Sequence, residues 1–176
     1  MNMENEIDRT AIHEAGHIFM CSELGFEIEK ATIIPDMAKG TDGSVTRKVV
    51  PRVDPNDTSQ ANLELIKKEI LILLSGYCAL EIAKAKKSED GSARDYGKAM
   101  VVADSFYDSP LKARRLIKKC ESQVKRILIY HWADVEAIAN ELLKKQVLVE
   151  SDIKKMLDPL SKNPDPIWAN SSVIKT

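Results

Sequence analysis

His13-Glu14-Ala15-Gly16-His17 is the stretch on which both the fold and the chemistry of this 176-residue chain turn. It lies in a longer run where Ile7, Ala11, Ala15, Ile18 and Phe19 recur at helical spacing, with Gly25 as the stop. Positions four apart on a helix stack one turn above the other, so the imidazoles of His13 and His17 can grip one ion from neighbouring turns. Zn–N bonds of about 2.0–2.1 Å are compatible with that span. Glu14 is too close in sequence to join the clamp, but it borders the site and can reach a water on the metal: two ligands and a general base. H-E-x-x-H turns up by chance in roughly one unrelated chain of this length in a few hundred, so its seat in an amphipathic helix adds weight.

A catalytic zinc takes three protein ligands and keeps a fourth position open. Cys21 shares the helical stripe, yet eight residues at a rise of 1.5 Å put it about 12 Å from His13, too far to share an ion. A metzincin-type extension needs glycine at position 20 and histidine at 23, where this chain has Met20 and Glu23. The third ligand must come from a distant helix, and composition and spacing leave Glu81, Asp95, Asp104 and His131 open.

Outward from the motif, Ile28 to Ile34 is largely β-branched or apolar, turn residues follow at Pro35, Asp36, Gly40 and Gly43, and Ser44 to Val50 is extended in character. Two short, paired strands are the simplest reading. Pro51 to Ser59 reads as loop. A helical pattern then runs from Gln60 to about Lys87, with an apolar centre at Ile70 to Leu74 that suggests burial on more than one side. Ser88 to Gly91 breaks it, and Ser92 can cap a helix to about Tyr107. Ser109-Pro110 starts another helix, since proline at the first helical position gives up no hydrogen bond. That helix and a neighbour divide near His131 to Ala133 and reach Lys145, and Ser151 caps a short one ending at Leu157. The tail, Asp158 to Thr176, is proline-rich and aperiodic and is expected to be loosely ordered.

Composition narrows the class. With 26 Lys and Arg against 27 Asp and Glu, the net charge is -1, which gives no general pull toward nucleic acid or acidic membranes. The exposed-looking basic run Lys112 to Lys119 reads as a solvated helix face. An apolar share of 44% and a charged share of 30% describe a globular chain with a real core. Its three cysteines, Cys21, Cys78 and Cys120, are widely spaced and make neither a disulfide framework nor a CxxC zinc site, which suits a reducing cytosol. The N-terminus is polar, without the features of a signal peptide. Ile70 to Leu80 is about a dozen residues where roughly 20 are needed to span a bilayer, so a cytoplasmic protein without membrane or nucleic-acid partners is expected.

Several segments together resemble the peptidase domain of the FtsH-type ATP-dependent zinc metalloproteases. Thr10-Ala11-Ile12-His13-Glu14-Ala15-Gly16-His17 is similar to that family's zinc helix, and Ala31-Thr32-Ile33-Ile34-Pro35 to the strand and proline after it. Ser75-Gly76-Tyr77-Cys78-Ala79-Leu80-Glu81-Ile82, followed by Gly91-Ser92-Ala93-Arg94-Asp95, resembles its glycine-led helix and G-A-x-x-D segment. The helical layout from Leu111 to Leu157 is also similar, so the likeness covers most of residues 8 to 157. Ser75 stands where the family usually has glycine, Tyr77 where it tends to have arginine, and the loop before Gly91 lacks the usual threonine pair. The 176 residues contain no G-x-x-x-x-G-K-[ST] phosphate loop and no membrane anchor.

The resemblance implies a mainly α fold: a helical zinc-peptidase domain over residues 1–157, with a small β-sheet or hairpin inserted after the first helix, and a tail at 158–176. It also nominates Asp95 as third ligand, although an acid near a helix N-terminus is favourable with the dipole in any case. The expected activity is that of a stand-alone zinc metalloendopeptidase, with Zn2+ on His13, His17 and Asp95 activating a bound water and Glu14 as general base. Substrate would be a peptide or unfolded protein segment, held in extended form along an edge strand at Ala31 to Ile34. A separate ATPase and a homo-oligomer are the partners such a domain would admit. Glu81 is a candidate to orient a zinc histidine. The competing expectation is a catalytically inactive zinc-binding or protein-interaction domain.

Overall fold

The computed structural model describes residues 1–2, 5–84, 91–107 and 109–157. Of the expected break at Ser88 to Gly91, residues 88–90 lie outside them, as does the tail at 158–176. Along the described chain run α1 (Glu6–Glu23), β1 (Ile28–Thr32), β2 (Ser44–Arg47), α2 (Gln60–Ile82), α3 (Gly91–Phe106), α4 (Pro110–Tyr130), α5 (Trp132–Lys145), β3 (Val147–Val149) and α6 (Glu150–Leu157). The architecture is mainly helical with a small antiparallel sheet, as the sequence implied.

Asn5 opens α1 by accepting the Ile7 amide on its side-chain oxygen at 3.2 Å, and Glu6 and Asp8 suit the positive end of the helix dipole. Every residue from Ala11 to Cys21 is buried. This follows from position: α2 and α5 pack on α1, and β1 and β2 cover part of what remains. Ile12, Ile18, Phe19 and Met20 form its apolar anchor, each contributing about 1.5–3 kcal/mol through burial. The same enclosure takes His13, Glu14 and His17 out of bulk water.

Ser59 caps α2 by accepting the Asn62 amide, and the Asn62 side chain donates to the carbonyls of Asp54 and Asp57, tying down the preceding loop. The helix crosses α1 at Gly16. A Cβ there would lie 2.7 Å from the Ser75 carbonyl oxygen and 2.9 Å from Ala79 Cβ, so only glycine lets the backbones approach this closely. That crossing sets the turn Ile72 to Gly76 directly against the two histidines.

The sheet has the order β2-β1-β3. β1 pairs antiparallel with β2, Ala31 opposite Val45, and on its other side with β3, Ala31 opposite Leu148. The amide of Ile33 goes further still, donating to the Gln146 carbonyl. The expectation of an open edge at Ala31 to Ile34 is therefore overturned: β1 is central, because Val147-Leu148-Val149 returns from the far end of the sequence to close that side.

Gly91 and Glu150 open α3 and α6, so Ser92 and Ser151, expected to cap them, each lie one residue inside; α4 and α5 follow their punctuation. Pro110 begins α4, and His131 ends α4 and starts α5. Ala113, Leu116, Ile117, Cys120, Val124, Ile127 and Leu128 give α4 a buried stripe at helical spacing, while Lys112, Arg114, Arg115, Lys118 and Lys119 face solvent. Among the described residues no helix is long and apolar enough to cross a membrane.

Candidate metal centre

α1 presents His13 and His17 one turn apart, and α3 brings Asp95 to them. His13 Nε2 and His17 Nε2 lie 3.0 Å apart, and Asp95 Oδ2 stands 3.2 Å from each. A tetrahedral ion with bonds of about 2.0–2.1 Å spaces its ligand atoms roughly 3.3–3.4 Å apart, so the triangle is close to the size such an ion requires. Its chemistry agrees. Two ring nitrogens and a carboxylate oxygen that all converge on one point carry mutually repelling lone pairs, which a cation or shared protons must offset. Among the described residues these three are the group of possible ligands close enough to hold a metal.

The surroundings hold the triangle from behind. The imidazole of His17 donates from Nδ1 to the Ile72 carbonyl at 2.8 Å. Gly76 supplies the room: a Cβ at that position would fall 2.6 Å from His13 Cε1 and 2.6 Å from His17 Nε2. The second oxygen of Asp95 accepts from Lys98 Nζ at 3.0 Å, which directs the first toward the histidines.

Charge in the cluster is strongly coupled. Burial disfavours ionised Asp95, but hydrogen bonds from His13 and His17 and the charge of both rings outweigh it and hold the carboxyl well below the usual range. Burial likewise opposes charge on His17, and the Asp95 hydrogen bond, the charges of Glu14 and Asp95 and the Ile72 carbonyl reverse it, so its pKa is raised. At Glu14 burial dominates, pushing the carboxyl above its ordinary value against the lowering influence of His13 and His17.

Glu14 lines the same cleft, of about 260 Å³, as the triangle. Its carboxylate packs on Gly43, where a Cβ would sit 2.7 Å from Glu14 Oε1. The loop ahead of β2 therefore needs glycine to lie over this side chain. Ser44 and Val45 of β2 continue the cleft wall, with Arg9 from α1 and Arg94 from α3 at other points of the lining.

Of the four positions left open for the third ligand, the structure brings Asp95 to the histidines and gives the others different surroundings. Glu81 accepts from Tyr77 Oη at 2.7 Å and pairs with Lys125 at 2.7 Å, and the Ile72 carbonyl is an acceptor on His17 Nδ1. Asp104 is exposed. His131 sits beside Asp134 and packs against the rings of Phe19 and Tyr130. Gly76, Gly43 and the Ile72 carbonyl were not read as site residues. The one signal was Ser75-Gly76 in the middle of an apolar helix, where glycine costs about 1 kcal/mol against alanine and calls for a reason.

No family model matches the chain. It is similar to the ATP-dependent zinc metalloprotease FTSH 9, chloroplastic/mitochondrial, of Oryza sativa subsp. japonica, with 25% identity over 181 residues. That alignment takes in 90% of this chain and 23% of the rice protein, so the chain spans about a quarter of the length of the relative it matches.

Proposed function

We propose that this chain is a zinc-dependent metalloendopeptidase acting on peptides or unfolded protein segments, with zinc held by His13, His17 and Asp95. The observation that carries the reading is the convergence of those three donor atoms in a cleft that Glu14 also lines. The likeness to a zinc metalloprotease supports it.

Zinc in that position would lower the pKa of a water toward about 7 and polarise the scissile carbonyl. The protein's own part is proton handling and placement. Glu14 takes the proton from the attacking water and returns it to the leaving amine. Its burial makes the carboxylate a stronger base than an exposed glutamate, which suits the first transfer. Gly43 against its carboxylate limits where that side chain can go. Substrate in extended form would lie along β2, whose outer edge has no strand partner among the described residues and whose Ser44 and Val45 border the cleft.

A folded domain resists opening by roughly 5–15 kcal/mol, and nothing in this cleft supplies that work. Peptides and unfolded segments, or chains delivered by a separate ATPase, are the substrates it fits. Casein cleavage with and without chelator, beside Glu14→Gln, tests the reading. The zinc-loaded variant is expected to lose about 10²–10⁴-fold in turnover; equal cleavage by variant and wild type would overturn the mechanism. Full zinc occupancy with no hydrolysis of any peptide library would favour a non-catalytic zinc-binding domain instead.

A further inference from the structure

We propose that Arg94 selects substrates that carry a carboxylate a few residues from the scissile bond. The inference rests on the peptidase reading above and deepens it, from a cleft that accepts unfolded segments to one that prefers an acidic group at a fixed place.

Among the described residues, Arg9, Arg47, Arg94 and Lys98 are the Lys and Arg side chains that line the cleft. Three of them are committed. Arg47 holds Glu69 through hydrogen bonds of 2.6 and 2.9 Å, Lys98 donates to Asp95 at 3.0 Å, and Arg9 is engaged as well. Arg94 has neither an ion pair nor a side-chain hydrogen bond among the described residues. Exposed arginines on helices are mostly solvated and select nothing. Arg94 differs in where it stands: next to Asp95 in the chain, on the cleft wall, with its guanidinium against the loop that leads into β2. A Cβ on Gly40 of that loop would lie 3.8 Å from Arg94 Nη2.

The same loop reaches the general base. Three residues on from Gly40, Gly43 packs on the Glu14 carboxylate, and beside burial the charges of Asp95 and Asp42 push that carboxyl upward. The acids of the cleft therefore gather around Glu14, and the uncommitted cation stands by Gly40. A guanidinium offers its N–H donors in a planar fork that matches both oxygens of a carboxylate. Substrate extended along β2 advances about 3.4 Å with each residue, so a carboxylate beside the scissile bond faces Glu14 and Asp42, while one a few residues away meets Arg94. The side chain of Asp or Glu and the C-terminal carboxylate of a peptide present the same chemistry to it.

The test uses the zinc-loaded chain and internally quenched peptides, C-terminally amidated, with Glu, Gln or Lys placed in turn at each position flanking the scissile bond. At one position kcat/KM should be about fivefold higher for Glu than for Gln, the size expected of an ion pair open to solvent, and lowest for Lys. Arg94→Gln should bring the Glu-to-Gln ratio to one, and Arg94→Glu should reverse the order so that Lys is highest. Because each ratio is taken within one protein, a variant that is only less stable or less active leaves it unchanged. Free-acid peptides shortened to end near the scissile bond separate the two sources. A gain from freeing the C-terminus that Arg94→Gln abolishes assigns the contact to the terminal carboxylate, and a gain confined to internal Glu assigns it to a side chain. Wild type that cuts all the peptides alike, or a preference that survives Arg94→Gln, overturns the proposal. Wild type that cuts none of them overturns the peptidase reading and this one with it.

Discussion

At Gly76 a single hydrogen atom separates a working pocket from a blocked one. Any side chain there meets both imidazoles at 2.6 Å, and since Gly76 is itself buried in α2 the rings are what must move. Gly76→Ala is expected to abolish zinc uptake while the helix, which gains about 1 kcal/mol in propensity, still forms; zinc content beside the far-ultraviolet circular dichroism spectrum checks both halves. Protons compete for the same atoms. The raised pKa of His17 means that the metal-free protein draws stability from its pairing with Asp95 below the unfolded value of about 6.5, and loses it as pH rises through the folded value. Asp95 is shifted downward, so its share is present above about 3.8 and is lost only as pH falls through its very low folded value. Zinc needs the neutral ring, and the gain in melting temperature on adding zinc should be larger at about pH 8 than at about pH 6. His13, Glu14 and His17 were legible in the sequence because their geometry is local to one helix. The carboxylate that joins them was not: only the packing of α3 distinguishes Asp95 from Asp104 two and a half turns on, and the family resemblance was what singled it out.

The elements repeat this division between local and distant information. Ser109-Pro110 announces a helix whose start agrees with the structure, since a helix start is settled within a few residues. β3 went unread because three residues carry no periodicity, and its partner lies more than a hundred positions earlier. That omission turned a central strand into an apparent edge. Gly16 shows how an element contact enforces its own residue: Gly16→Ala pushes a methyl group into the Ser75 carbonyl and Ala79 Cβ. The expected cost is about 1–3 kcal/mol, read as a lower urea midpoint with an unchanged slope.

Over the whole molecule, the donor triangle joins parts of the chain that sequence holds far apart. His13 and Asp95 are 82 residues from one another, and α3, which carries the aspartate, packs on α2 and α4. An ion gripped by both ends would close a loop of that length, and closing long loops is where a cross-link constrains the unfolded chain most. All three cysteines are free and buried, so the protein would own a staple of the kind that secreted domains make from sulfur, built instead from imidazole and carboxylate. Its chemistry of release is different. Reductant should leave the melting temperature of the zinc-loaded protein unchanged and chelator should lower it, with amide exchange quickening in α3 ahead of α2. Stability in such a molecule answers to the supply of a metal and not to the redox state around it.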